Sequence, residues 1–124
     1  TVATRNASST ATNAISKMLP NIIGGSADLA GSTKTTMLER ETFQPKTPDG
    51  TNIYFGIREH AMGGIASGIS LHKGLIPFIG TFLVFSDYMR ASIRLAEASI
   101  DNSAYQTNSN FDRDGTTLSV SLAF

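Results

Sequence analysis

The feature that most constrains this fold is a repeated change from a short apolar run to a helical pattern. Residues 22–29 start apolar and pass into small residues and a carboxylate, residues 52–55 are β-prone and end at Gly56, and residues 75–78 follow Gly74. Helical patterns precede the first run and follow the other two. This alternation predicts an α/β fold with a parallel sheet and packed helices. The strands are too few to bury both faces, so the sheet is predicted to be incomplete.

Three helical segments are predicted from the spacing of apolar residues. The first has Thr4 as candidate N-cap, ends at Pro20 and carries apolar residues at Ala7, Ala11, Ala14, Ile15 and Met18. The second runs over residues 57–72, with Ile57, Ala61, Ile65 and Ile69 on one face and Gly74 as its stop. A turn is expected at Gly80 and Thr81. After it the spacing of Phe82, Phe85, Tyr88 and Met89 predicts the third helix.

Residues 31–52 are polar and predict a long surface loop, with one short helical turn near Met37.

Composition excludes several classes of function. Ten basic and ten acidic residues balance in the 124-residue chain, which gives no reason to expect nucleic acid or an anionic membrane surface as partner. No cysteine is present, so neither a disulfide nor thiolate chemistry is expected. The longest apolar run, residues 75–85, is too short for a membrane helix. The sequence therefore predicts a soluble, cytoplasmic protein, or a piece cut from a longer one, since it begins with Thr1 rather than Met.

The strongest site candidate is the turn at residues 54–62, where Arg58, Glu59 and His60 are adjacent at a predicted helix start. Successive helix residues point about 100° apart, so the three cannot all face one ligand, and only one of them needs to be the working group. The alternative is an ordinary amphipathic helix start, in which an acidic residue suits the helix dipole. Asp28 is a second candidate, because it follows a predicted strand at its carboxyl end.

Four segments resemble the pyrimidine-binding domain of transketolases, over residues 1–98. They are residues 1–5, residues 24–32 with Gly-Gly-Ser-Ala-Asp-Leu, residues 56–62 with Gly-Ile-Arg-Glu-His-Ala-Met, and residues 80–88 with Gly-Thr-Phe. The resemblance implies a partial domain over residues 1–99. Residues 100–124 form an unmatched tail, expected to be disordered or a short β-hairpin, with strand-like alternation from Thr117.

The resemblance also implies roles for individual residues. Glu59 is expected to be the catalytic carboxyl that hydrogen-bonds the pyrimidine ring of thiamine diphosphate, in a proton-bearing form that burial against apolar walls favours. Phe82, Phe85 and Tyr88 are expected to pack around that ring, with Asp28 near the cofactor. Arg5 and Ser32 are expected to bind the phosphate of the substrate.

Transketolases move a two-carbon ketol unit from a ketose phosphate to an aldose phosphate in the pentose phosphate pathway, as homodimers that share active sites. The resemblance thus implies thiamine diphosphate, sugar phosphates and a second transketolase subunit as partners. It also implies Mg²⁺, held by a domain absent from this chain, so no residue here is predicted to be a metal ligand. These 124 residues alone are expected to show little activity. The alternative is that the chain is an inactive remnant or a subunit-pairing module. The resemblance does not separate a transketolase from a dihydroxyacetone synthase.

Overall fold

The structure is a computed structural model, and it describes residues 1–105 and 119–123. The helices are α1 (Thr4–Met18), α2 (Ala30–Thr33), α3 (Glu59–His72), a 3₁₀ helix (Leu83–Met89) and α4 (Arg90–Tyr105). The strands are β1 (Ile22–Ser26), β2 (Asn52–Tyr54), β3 (Ile76–Phe82) and β4 (Ser119–Ala123). Strands and helices alternate along the chain, which confirms the predicted α/β class.

The strands form one parallel sheet in the order β2-β1-β3-β4. Ser26, the last residue of β1, is in register with Tyr54 on one side and Gly80 on the other. The carboxyl ends of three strands therefore meet at the same edge of the sheet. The loop after β1, the turn after β2 and the segment after β3 all start from this edge.

Two glycines allow the inner strand to lie close to its neighbours. A Cβ atom on Gly24 would overlap the carbonyl oxygen of Phe78, and one on Gly25 would overlap that of Ile53. All five residues of β1 are buried. β1 therefore requires small residues, because the backbones of β2 and β3 lie close to it on its two sides.

Two clusters of buried side chains form the core. The larger cluster lies where α3 packs on the sheet and consists of Ala27, Phe55, Met62, Ala66, Ile79 and Met89. The smaller cluster joins Ile22 and Phe78 to Met37, which is fully buried. The second cluster shows that the polar segment between α2 and β2 contributes to the core.

The predicted apolar faces of α1 and α3 do not face the sheet. On α1, Ile15 and Met18 are 44% and 79% exposed, while Ser16 is the buried residue. On α3, Ile57 and Ile65 lie outward, and the buried face is made of Glu59, Met62, Gly63, Ala66 and Ser70. The prediction of the buried faces from apolar spacing was wrong, because small residues let these helices approach the rest of the chain closely.

Other boundaries also differ from the predictions. Ala3, not Thr4, is the N-cap of α1, and it makes no side-chain capping bond. Gly80 and Thr81 lie inside β3, because their backbone pairs with neighbouring strands, and the chain leaves the sheet only after Phe82. α2 lies inside the predicted loop, whereas Met37 is not helical. The helix end before Gly74 is confirmed at His72.

The predicted tail lies mostly outside the described residues. Within it, α4 reaches Tyr105, and Ser119–Ala123 pairs in parallel with β3. None of the helices in the described ranges has the length and apolar character needed to cross a membrane.

Candidate functional site

A cavity of about 840 Å³ lies beyond the sheet edge where β1, β2 and β3 end. Three segments form its walls: the loop after β1, the start of α3 and the 3₁₀ helix after β3. The lining residues are Ala27, Asp28, Leu29, Ile57, Arg58, Glu59, His60, Ala61, Phe85 and Tyr88. Carboxyl ends of parallel strands are the usual position of ligand sites in α/β folds.

Glu59 is the first residue of α3 and the least exposed ionisable group at the cavity. The residue is 8% exposed, and its carboxyl forms no hydrogen bond or ion pair with any residue that the structure describes. An acidic residue in the first turn of a helix is favoured by the helix dipole. The carboxyl oxygens are not among the fully enclosed side-chain atoms that lack a partner, so they reach the open space of the cavity. The carboxyl of Glu59 is therefore available to a ligand in the cavity.

Arg58 and Gly56 shape the turn that places Glu59. Gly56 has φ 65°, a left-handed conformation that glycine adopts without strain. The Arg58 guanidinium folds back over this turn and donates a hydrogen bond of 3.0 Å to the carbonyl of Phe55. A Cβ atom at position 56 would overlap that guanidinium. The side chain of Arg58 thus stabilises the turn from inside the cavity wall.

Arg58, Glu59 and His60 all line the cavity, whereas the sequence predicted that the three could not all face one ligand. The expectation used regular helical spacing from Ile57. Arg58 is instead the N-cap, with φ −149° and ψ 58°, and the helix begins one residue later. The irregular backbone lets its side chain fold back over the turn at Gly56.

Aromatic rings form the wall opposite α3. Phe85 and Tyr88 line the cavity with ring centroids 6.1 Å apart. Phe82 does not line it, but its ring lies 5.9 Å from that of Phe85 and supports it from behind. These separations are typical of favourable ring pairs. A flat, partly apolar ligand fits such a wall.

Of the remaining predicted site residues, one lines the cavity and two do not. Asp28 lines the cavity and has φ 62°, an uncommon conformation for a residue other than glycine. Arg5 is exposed in the first turn of α1, and Ser32 is exposed in α2; neither lines the cavity. The structure brings together Asp28, Glu59, Phe85 and Tyr88, and leaves Arg5 and Ser32 outside this group.

Sequence reasoning placed His60 in the candidate turn but gave it no role of its own. The His60 ring lines the cavity, and its Nδ1 lies 3.3 Å from the hydroxyl oxygen of Ser92 on α4. Adjacency to Glu59 was the signal available, but the contact with a residue 32 positions later depends on how α3 packs against α4.

A nitrogen heterocycle suits this arrangement of groups. Its flat faces would contact Phe85 and Tyr88, and a ring nitrogen would reach the carboxyl of Glu59. The cavity can thus bind a heterocycle through its flat faces and through a hydrogen bond to the carboxyl of Glu59.

Comparisons with known proteins agree on one family. The model of the transketolase pyrimidine-binding domain matches residues 1–115. The chloroplastic transketolase of Craterostigma plantagineum is 53% identical over 95 residues, which are 76% of this chain and 18% of that protein. The transketolase of Geobacillus stearothermophilus is 52% identical over 95 residues, which are 77% of this chain and 14% of that protein. The chain thus spans less than a fifth of the length of these relatives.

Solved structures give the same result. The transketolase of Leishmania mexicana superposes with a TM-score of 0.76 at 41% identity, covering 79% of this chain and 15% of that one. A transketolase of Pichia stipitis in complex with sedoheptulose 7-phosphate gives a TM-score of 0.72 at 40% identity, covering 76% and 15%. The alignments with the curated relatives are between 93 and 98 residues long. The domain boundary at residue 99 stays a prediction.

Proposed function

The chain belongs to the transketolase family, as part of its pyrimidine-binding domain, and we propose that its cavity binds the aminopyrimidine ring of thiamine diphosphate. In this proposal the chain acts within a longer transketolase that transfers a two-carbon ketol unit between sugar phosphates. The carboxyl of Glu59 carries the proposal, because it lines the cavity and forms no hydrogen bond or ion pair within the part of the chain that the structure describes, so it is free to bind a ring nitrogen.

The residues of the cavity fit this coenzyme. Thiamine diphosphate, when bound, supplies the electron sink for making and breaking the carbon–carbon bond. The carboxyl of Glu59 would hold the pyrimidine ring by a hydrogen bond to a ring nitrogen. Phe85 and Tyr88 pack against the ring and exclude water from it, with Phe82 behind Phe85. Asp28 faces the same space and is proposed to lie near the coenzyme.

The diphosphate and the substrate need groups beyond this cavity. Within residues 1–105 and 119–123, no three His, Asp or Glu side chains are placed to hold a metal ion. We therefore propose that Mg²⁺ is held by another domain of the longer protein. Arg5 and Ser32 are proposed to bind substrate phosphate, and a second transketolase subunit is proposed to complete the active site. The expected compartment is the cytoplasm, although plant relatives are chloroplastic.

Mutation of Glu59 tests the proposal directly. In a full-length enzyme that carries this segment, Glu59→Gln removes the ionisable proton but keeps the shape of the side chain. We expect ketol transfer to fall about 10²-fold or more, the usual range for a lost acid–base group. Glu97→Gln, an exposed position on α4, is the matched control. Full activity of Glu59→Ala in an enzyme that still binds thiamine diphosphate would overturn the assignment.

A second candidate function is pairing with a transketolase subunit without chemistry. Met18 on α1 and Ile57, which precedes α3, are each 79% exposed and favour this function, because interaction surfaces carry exposed apolar side chains. Analytical ultracentrifugation of the chain mixed with an intact transketolase tests this function, and sedimentation of two separate species would contradict it.

A further inference from the structure

The inference concerns Ser92 and His60, which join α4 to α3 beside the cavity. Ser92 is 4% exposed, and its hydroxyl oxygen has two polar neighbours. One is the carbonyl oxygen of Met89, at 3.0 Å, and the other is Nδ1 of His60, at 3.3 Å. The packing here is tight, since a Cβ atom on Gly63 would lie 2.5 Å from the Ser92 hydroxyl.

The protons that these three groups can supply decide which ring nitrogen of His60 is protonated. A serine hydroxyl carries one proton, and a carbonyl oxygen carries none. If Ser92 donated to His60, its oxygen and that of Met89 would face each other at 3.0 Å with no proton between them. If Ser92 donates to Met89, both contacts become hydrogen bonds, provided that Nδ1 of His60 carries a proton. The second arrangement satisfies every group.

We propose that Ser92 is a positioning residue that fixes His60 with its proton on Nδ1, so that Nε2 is a free acceptor at the cavity. The hydrogen bond made by one ring nitrogen sets the state of the other. His60 is exposed and lines the cavity, so Nε2 is accessible to a ligand there. The cavity thus has an acceptor on α3 next to the carboxyl of Glu59, and selects ligands that carry an N–H or O–H group at that point.

Nitrogen-15 NMR of the full chain tests the tautomer without any ligand. The sequence has two histidines, and His72→Gln identifies the His60 signals. The spectra are recorded at about pH 8, since the two tautomers are distinguished in neutral imidazole, whose ordinary pKa is about 6.5. We expect His60 to show a protonated Nδ1 and an unprotonated Nε2. A proton on Nε2 in the unmutated chain would overturn the proposal, because Ser92 would then donate to His60.

Two serine variants separate positioning from folding. Ser92→Ala removes the oxygen that accepts from His60, and we expect a mixture of tautomers in place of one. Ser86→Ala is the control, since that hydroxyl makes a similar bond of 2.6 Å to the carbonyl of Leu83 but does not contact His60. An unchanged tautomer in Ser92→Ala would contradict the positioning role. If Ser92→Ala fails to fold, the spectrum of the unmutated chain still decides.

A titration with thiamine diphosphate of the full-length enzyme that carries this segment tests the acceptor, and this arm rests on the proposed function. We expect the Nε2 signal to shift as the coenzyme saturates the cavity, and Ser92→Ala to bind more weakly. Ring signals of Phe85 and Tyr88 report binding independently. Shifts of those rings with no change at Nε2 would overturn the acceptor role. No shift at the rings would contradict the proposed coenzyme and leave the tautomer result valid.

Discussion

The side chain of Asn52 binds the backbone of Met37 at both of its polar groups. Asn52 Oδ1 accepts a hydrogen bond of 2.9 Å from the Met37 N–H, and Nδ2 donates one of 2.9 Å to the Met37 carbonyl. The same Nδ2 donates to the carbonyl of Arg40 at 2.8 Å. A single buried amide at the start of β2 therefore holds the long segment between α2 and β2, and with it the Met37 side chain in the core.

Replacement of Asn52 by Ala is expected to destabilise the chain by about 2–4 kcal/mol, because buried backbone groups lose their partners. Urea unfolding followed by circular dichroism measures this loss. Asn21→Ala is the control, as its amide makes one exposed bond of 3.0 Å to the Gly74 carbonyl. We expect its cost to stay below about 1 kcal/mol. Equal losses in both variants would show that Asn52 does not anchor the segment.

Glycine replacements are expected to act in opposite directions in β1 and α3. Gly25→Ala places a Cβ atom against the Ile53 carbonyl, so we expect a loss of more than about 3 kcal/mol or no folded protein. Gly64→Ala meets nothing within 4 Å and is expected to stabilise the helix by about 0.5–1 kcal/mol. Thermal unfolding of both variants provides the comparison. A stable Gly25→Ala variant would contradict the close approach of β1 and β2.

The contact between α3 and α4 can be tested with a double-mutant cycle. Gly63→Ala puts a Cβ atom 2.5 Å from the Ser92 hydroxyl and 2.8 Å from its Cβ, so a cost of about 1–3 kcal/mol is expected. Ser92→Gly removes both atoms and should recover part of that cost when combined with Gly63→Ala. Denaturant midpoints of the four proteins give the coupling energy. Additive effects would mean that the two helices are further apart than described.

Loss of the Phe85 ring is expected to weaken coenzyme binding about tenfold, since a ring contact contributes about 0.5–1.5 kcal/mol beyond its buried area. Titration calorimetry with thiamine diphosphate on Phe85→Ala measures the effect in the enzyme that carries this segment. Phe82→Ala should cost less, because that ring lies behind the wall. Phe43→Ala, 53% exposed and away from the cavity, should leave affinity unchanged. Equal affinity for Phe85→Ala and Phe43→Ala would remove the aromatic wall from the proposed site.

Local patterns predicted the α/β class and the neighbourhood of Glu59, because strand ends and helix starts are encoded by adjacent residues. They did not predict which helix faces are buried. The buried face of α3 contains Gly63 and Ser70, whose value lies in small size rather than apolar character. The contact of His60 with Ser92 and the anchoring by Asn52 join residues far apart in sequence. Such contacts follow from the packing of whole elements, and no short pattern records them.

The inner position of β1 has a consequence for the order of assembly. β1 is the first strand to be synthesised, yet it pairs with β2 and β3, which follow much later in the chain. Until Ile76–Phe82 is available, Ile22 and Ile23 have backbone and side chains without partners on that side. Parallel pairing over long separations closes slowly. The nascent chain therefore exposes an unpaired β1 until β3 has been made, and its yield should depend on how fast translation reaches β3.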